Sequence, residues 1–300
     1  MKKEYKDKFP EFCSDFTKAY DLCLSDDSDS ILVNNFLELE TWNSTRFFYD
    51  FNMLYIEKGY KQQNPMVGCD ISFVDGRCWD NHVTAISSKD IINPNSANLN
   101  SIDKINSKNN YTSKYAGSTL ATVLSYYDYD ISQLSEQAKM LIMCIDSHYY
   151  GFYSDRFHST QKKWLVDVLE MDELYDIIKT HTEQDFIDLA RSLNIKIPRQ
   201  GKKDRDGKIW INKDGYLETE IDLKGISDIL GTEITLPKQQ FEPFFKQKED
   251  EEYLILKTGY AKTDYISNRE QVQKNIFSYS QTFKNSASYT YLYKVNPKQI

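Results

Sequence analysis

The chain has 300 residues, 40% of them hydrophobic, which is enough for one large core or two ordinary ones, and its 37 basic and 45 acidic side chains leave a net charge of −8. That balance disfavours non-specific attraction to nucleic acid or anionic membranes, so a nucleic-acid partner requires a local basic patch. The charged run Met1–Lys8 is followed by no secretory apolar segment, and no stretch approaches the roughly 20 apolar residues of a membrane span; the expectation is a soluble, cytoplasmic protein with no membrane partner.

The helical spacing of Phe9, Phe12, Phe16, Tyr20 and Cys23 predicts an amphipathic helix to about Leu24, and the acidic run from Ser25 to Ser30 then reads as a solvated loop. A second helix is expected from Ser44, carrying Phe47, Phe48, Phe51, Leu54 and Tyr55 and stopping at Gly59. Strand-like runs from Val67 to Val74 and from Arg77 to Ser87 flank Asp75-Gly76, the dipeptide of a type I′ hairpin turn. From Ser88 to Lys114 the chain is rich in Asn, Ser and Lys with few apolar residues; it reads as a long loop, most mobile from Asn93 to Lys114.

Residues 115 to 193 read as helical, with one stripe at Leu134, Ala138, Leu141, Ile142 and Ile145, another from Trp164 to Leu169, and Thr182 with Asp185 capping a third helix. Beyond Ile197-Pro198 the pattern turns β-rich. A hairpin is expected around Lys213–Gly215, with strands at Glu252–Thr258 and Ser288–Val295. The fold class is therefore α+β: an N-terminal α+β portion (1–100) with helices and a β-hairpin, a helical middle (115–195) and a β-rich C-terminal portion (196–300).

Five cysteines without a CxxC pair suit reduced, buried thiols rather than a disulfide scaffold or structural zinc, and the expectation is no cofactor. In the simplest hairpin register Cys69 faces His82, with Asp80 and Thr84 on the same face, a pairing that serves either a thiolate nucleophile or a buried core contact. His82-Val-Thr84 and His158-Ser-Thr160 resemble the H-x-T elements of two-histidine phosphoesterases. That resemblance implies His82 and His158 as base and acid, with Thr84 and Thr160 holding phosphate oxygens. Asp206, Asp214 and Asp222, with Lys224 two positions on, resemble the core of the PD-(D/E)xK nucleases, which implies that the acids bind a divalent metal such as Mg while the lysine positions water.

Tyrosine is abundant, with 22 copies, and Tyr289, Tyr291 and Tyr293 alternate along an expected strand, so that one face carries all three. No P-loop, Rossmann glycine fingerprint, nucleophile elbow or HExxH is present. With those motifs missing, the sequence favours an intracellular regulator or inhibitor that binds a protein partner, or itself, through tyrosine-rich surfaces. The alternative is a phosphodiester-cleaving enzyme using one of the two sets of residues above.

Overall fold

A computed structural model describes residues 1–41, 43–197, 206–244, 246–247 and 253–295. Its helices in chain order are α1 (Lys3–Lys6), α2 (Ser28–Glu40), α3 (Leu99–Ile102), α4 (Thr119–Tyr126), α5 (Glu136–Cys144), α6 (His158–Lys162), α7 (Asp172–Thr180), α8 (Glu183–Ser192) and α9 (Leu223–Leu230). Its strands are β1 (Asp21–Leu24), β2 (Ser44–Tyr49), β3 (Leu54–Glu57), β4 (Met66–Cys69), β5 (Arg77–Trp79), β6 (Ser96–Ala97), β7 (Ile209–Ile211), β8 (Leu217–Thr219), β9 (Phe241–Pro243), β10 (Lys246–Gln247), β11 (Tyr253–Lys262), β12 (Ile276–Phe283) and β13 (Ser286–Val295). The fold is α+β, with a helical middle and a β-rich C-terminal part.

Seven strands form one mixed sheet in the order β6-β5-β4-β1-β2-β3-β9. Strands β6 to β2 in that order run parallel, and β3 and β9 add antiparallel edges. Because strand side chains alternate, the two faces bury different sets. Leu22, Leu24, Phe48, Val67, Cys69 and Trp79 join the helices in one core, whereas Cys23, Phe47, Tyr49 and Cys78 face the opposite way. That second face is covered by the sheet β10-β11-β13-β12, giving helices, sheet and sheet as successive layers. The Tyr49 hydroxyl ties the two sheets together by bonding Ser278 Oγ at 2.9 Å and Thr290 Oγ1 at 2.5 Å.

Several expectations are corrected. The segment from Phe9 to Leu24 is a short 3-10 turn followed by β1, because Leu22-Cys-Leu24 is buried on both faces, and so short an apolar run carries no decisive period. Likewise Ser44 to Glu57 forms β2 and β3, since Phe47, Phe48 and Tyr49 are consecutive and all buried, which a strand inside a sandwich accommodates and a surface helix does not. The runs around Asp75-Gly76 are not a hairpin: β4 and β5 lie parallel, pairing Val67 with Arg77 and Cys69 with Trp79. The connecting loop folds back across the sheet, where Phe73 rests on Gly68 so closely that a Cβ there would meet its ring at 2.7 Å. The same loop borrows backbone bonds from β12, with Val74 donating to Phe277 and Tyr279 donating to Ser72.

The stretch from Asn93 to Lys114 contains β6 and α3 and is held by amides rather than by apolar burial. Asn93 Nδ2 donates to the carbonyls of Phe73 and Gly76, and Asn100 Nδ2 to those of Asn81 and Tyr115. Polar residues that looked loop-like are therefore buried partners of backbone groups, which explains why hydropathy misjudged them. Elsewhere the expectations match: Thr182 and Asp185 form a capping box on α8, β7 and β8 pair around the turn at 213–215, and β11 and β13 pair from Tyr253 to Val295. Glu252, the first residue of one expected strand, lies outside the described residues.

Candidate metal centre

Strand β1 leaves toward β2 on one side while β4 returns on the other, so the chain reverses its direction of travel across the sheet at the β1/β4 boundary. In open sheets of this kind the carboxyl ends of the strands at such a point form a crevice that binds ligands. Each strand here ends in acid. Asp26, Asp27 and Asp29 follow β1, Asp70 follows β4, and Asp80 follows β5, with His82 two residues on. Asp146 arrives from the far side of the helical layer, on a kink where it and Ser147 take left-handed backbone angles of φ 51° and 53°.

The ligating atoms of Asp29, Asp70 and Asp146 all lie within 4.8 Å of one another, and so do those of Asp70, Asp80 and His82. Asp70 belongs to both groups. Asp29, Asp70 and Asp80 are at most 3% exposed, whereas Asp146 opens to solvent and His82 is partly exposed. The outer atoms are held in place: Asp29 accepts the Thr119 and Leu120 amides at the start of α4, at 2.6 and 2.8 Å, and Thr119 Oγ1 donates to Asp70 at 2.7 Å. Asn81 Nδ2 donates to Asp146 at 2.6 Å, while Asn98 Nδ2 donates to Asp80 at 2.7 Å. His82 Nδ1 lies 2.7 Å from the other Asp80 oxygen. The start of α4 reaches Asp29 because Gly117 lets the His148 ring pack against it; a Cβ there would fall 2.2 Å from Nε2.

Such crowding sets the protonation. Burial, then the charges of Asp70, Asp146 and Asp27, hold the Asp29 carboxyl well above the usual range. Asp70 is raised in the same sense by burial, then by Asp27, against the opposing charge of His82. Asp146 is also raised, by desolvation first and Asp27 next. For His82 burial works against the charged form, but the hydrogen bond and charge of Asp80, with Asp70 and Asp146 behind it, push the imidazole up to about 9. The imidazolium form of His82 is thus favoured, beside acids whose burial favours their protonated forms. A pair of unit charges 4.8 Å apart interacts by roughly 3 kcal/mol at an effective dielectric constant of about 20, so these acids either hold protons or need a cation to ionise together. The carboxylate oxygens are donors that suit Mg²⁺ or Mn²⁺, and His82 joins them as a ligand when a metal displaces its proton.

Of the residues singled out in the sequence, His82 and Asp80 enter this cluster. Thr84 lies on the same loop, its carbonyl taken by Arg269. His158 opens α6 rather than a strand, with Nδ1 on the Phe152 carbonyl and Nε2 on the Tyr175 hydroxyl; Thr160 lies in that helix, so the two H-x-T triplets do not sit on neighbouring strands. Asp206, Asp214, Asp222 and Lys224 form no three-ligand cluster among the described residues. Asp214 is an exposed turn residue, Asp222 caps α9 by accepting the Gly225 amide, and Lys224 pairs with Asp228. Cys69 points into the helical core instead of facing His82, and burial raises its thiol well above the ordinary value, away from a thiolate. Tyr289, Tyr291 and Tyr293 do share a strand face: Tyr289 covers Gly259, and Tyr293 is open, with Lys257 Nζ 3.7 Å from its ring centroid.

Sequence reasoning missed Asp27, Asp29, Asp70 and Asp146, and gave Asp80 only a place on the His82 face. A signal existed for four of them, because Leu22–Leu24, Val67–Cys69 and Cys78-Trp79 are apolar runs each followed at once by a polar, aspartate-bearing turn. Asp146 carries the same mark, following the apolar run Met140–Ile145, but that run reads as part of a helix stripe. Compared with known proteins, the chain matches no protein-family model, no curated protein and no solved structure.

Without divalent metal, stability should fall as pH rises. Asp29 and Asp70 keep protons in the folded chain above their ordinary value of 3.8, and His82 keeps its proton to about 9 against 6.5. The folded state therefore binds more protons than the unfolded one, so the stabilisation present at low pH is lost upward from about pH 4 for the acids and between about 6.5 and 9 for His82. Urea denaturation in chelator across this range checks the slope, and excess Mn²⁺ should restore stability at the alkaline end. A profile that is flat or rises with pH contradicts the charge assignment.

Proposed function

We propose that the chain is a divalent-metal-dependent hydrolase of phosphoesters, centred on Asp70. The observation that carries this reading is that two three-ligand groups share that carboxylate, an arrangement suited to two adjacent cations. Such cations, when bound, supply a nucleophilic hydroxide at neutral pH and neutralise charge on phosphoryl oxygens. The protein residues do the rest. Asp29 and Asp146 frame one side, Asp80 and His82 frame the other, and the amides of Asn81 and Asn98 keep Asp146 and Asp80 from swinging toward solvent. Lys114 and Lys208 also lie within electrostatic reach of the acids, the first near Asp146 and the second beside Asp26, and lysines at a metal centre favour an anionic substrate. In the reaction water adds to phosphorus, the ester P–O bond breaks, and the alcohol departs with a proton.

A second reading is supported by the tyrosine face of β13, where Tyr293 is 43% exposed beneath Lys257: a surface for a protein partner or a second copy. Replacing Tyr293 with Ala should then weaken association in sedimentation by about tenfold or more while leaving the melting temperature nearly unchanged. A chain that is monomeric and partner-free with or without the substitution removes this reading.

The hydrolase reading is tested with bis(p-nitrophenyl) phosphate and short oligonucleotides in Mn²⁺. Turnover should vanish in chelator, and Asp70→Asn should lower kcat/KM by about a hundredfold or more, whereas His158→Ala and Asp222→Asn should stay near wild type. Activity that persists in chelator, or survives Asp70→Asn, contradicts the proposal.

A further inference from the structure

The hairpin of β7 and β8 brings a different residue to the centre from those its carboxylates suggested. Its first strand lies against the turn between β1 and α2: the Ile209 amide donates to the Asp26 carbonyl at 2.8 Å, and Lys208 and Asp27 form an isolated antiparallel bridge. That seating carries the Lys208 side chain inward, where Nζ lies 2.6 Å from Asp26 Oδ1 and 4.0 Å from Asp27 Oδ2, with the side chain 31% exposed. Burial works against the charged form of Lys208, yet the charges of Asp27 and Asp26, the hydrogen bond to Asp26 and the more distant Asp70 together raise it, so the ammonium persists at any ordinary pH. Asp26 itself is raised to about 6 by burial, against the opposing pull of Lys208.

Gly207 makes this approach possible. Its φ of +67° suits glycine, and a Cβ would stand 2.5 Å from the Lys196 backbone nitrogen, so the strand start is pressed against the chain at Lys196. The exposed Lys196 in turn acts on both Asp26 and Asp146. The Lys208 ammonium therefore borders the acids on the side of the β1–α2 turn, with Lys196 within electrostatic reach. The pair with Asp26 and Asp27 tethers the hairpin, and the same cation, on the side of the acid cluster, meets any phosphate that metals there hold.

Resting on the hydrolase reading, we infer that Lys208 is a substrate-binding residue that donates to a non-bridging phosphate oxygen, with Lys196 as a second, outer contact. Asp26 keeps the ammonium aimed while the site is empty of substrate.

The test uses the full chain loaded with Mn²⁺, bis(p-nitrophenyl) phosphate as substrate and inorganic phosphate as inhibitor. Lys208→Met should raise both KM and the inhibition constant for phosphate roughly tenfold or more, the loss expected for one charge-assisted hydrogen bond, with kcat changed less. Lys208→Arg should restore most of the affinity, and Lys196→Met should show a smaller effect in the same direction. The double variant Lys208→Met with Asp26→Asn separates the roles. A tether that merely balanced Asp26 is relieved when both charges go, so a double variant back at wild-type KM overturns the inference, as does Lys208→Met with unchanged KM and phosphate inhibition. A double variant still weak for phosphate, in a chain that melts normally, supports it. If the wild-type chain neither hydrolyses the substrate nor binds phosphate in Mn²⁺, the hydrolase reading itself fails and the inference falls with it; hydrolysis that is indifferent to Lys208 removes the lysine alone.

Discussion

Buried negative charge is the constraint around which this molecule is built. Asp29, Asp70 and Asp80 are closed off from solvent, and His82 is the imidazole grouped with Asp70 and Asp80 among the described residues. The fold moderates the repulsion with neutral donors: the first amides of α4 point at Asp29, the Thr119 hydroxyl at Asp70, and the Asn81 and Asn98 amides at Asp146 and Asp80. These bonds orient the carboxylates but leave the net charge in place. Carboxyls so buried and so fixed hold their protons or are costly when ionised, and a cation is the simplest agent that lets them ionise together.

The layered architecture is what allows the cluster to exist. Parallel strands β1, β4 and β5 deliver their ends side by side, and the alternation of side chains on those strands seals both faces with apolar residues just below the acids. The helical layer contributes Asp146 and the start of α4. From the other side, β12 bonds the loops at Ser72, Val74 and Val83, so the C-terminal sheet buttresses the segments that carry Asp70 and His82. Arg269 adds a clamp by donating to the Thr84 and Ile91 carbonyls beside Asp90. No helix among the described residues is long and apolar enough to cross a membrane.

Much of the periphery was legible in the sequence and much of the centre was not, for one physical reason. The capping box of Thr182, the turn at 213–215 and the long alternating strand to Val295 are local devices, and local devices leave local marks. Buried parallel strands of three or four residues have no period to read, so Leu22–Leu24 passed for the end of a helix and the acids after it for a solvated loop. Asn98 and Asn100 look like loop residues until the backbone groups they satisfy are seen. The acids of the centre come from turns about 10 to 120 residues apart, a convergence that only the tertiary fold creates.

The account stands or falls on whether Asp70 is shared between two cations. Equilibrium dialysis or calorimetric titration with Mn²⁺, on the wild-type chain and on Asp70→Asn, addresses this directly. Two ions per wild-type chain, with both sites weakened together by the single substitution, is the result expected from a carboxylate common to Asp29–Asp146 on one side and Asp80–His82 on the other. A wild-type chain that takes up no Mn²⁺, or an Asp70→Asn chain that binds as the wild type does, would contradict it.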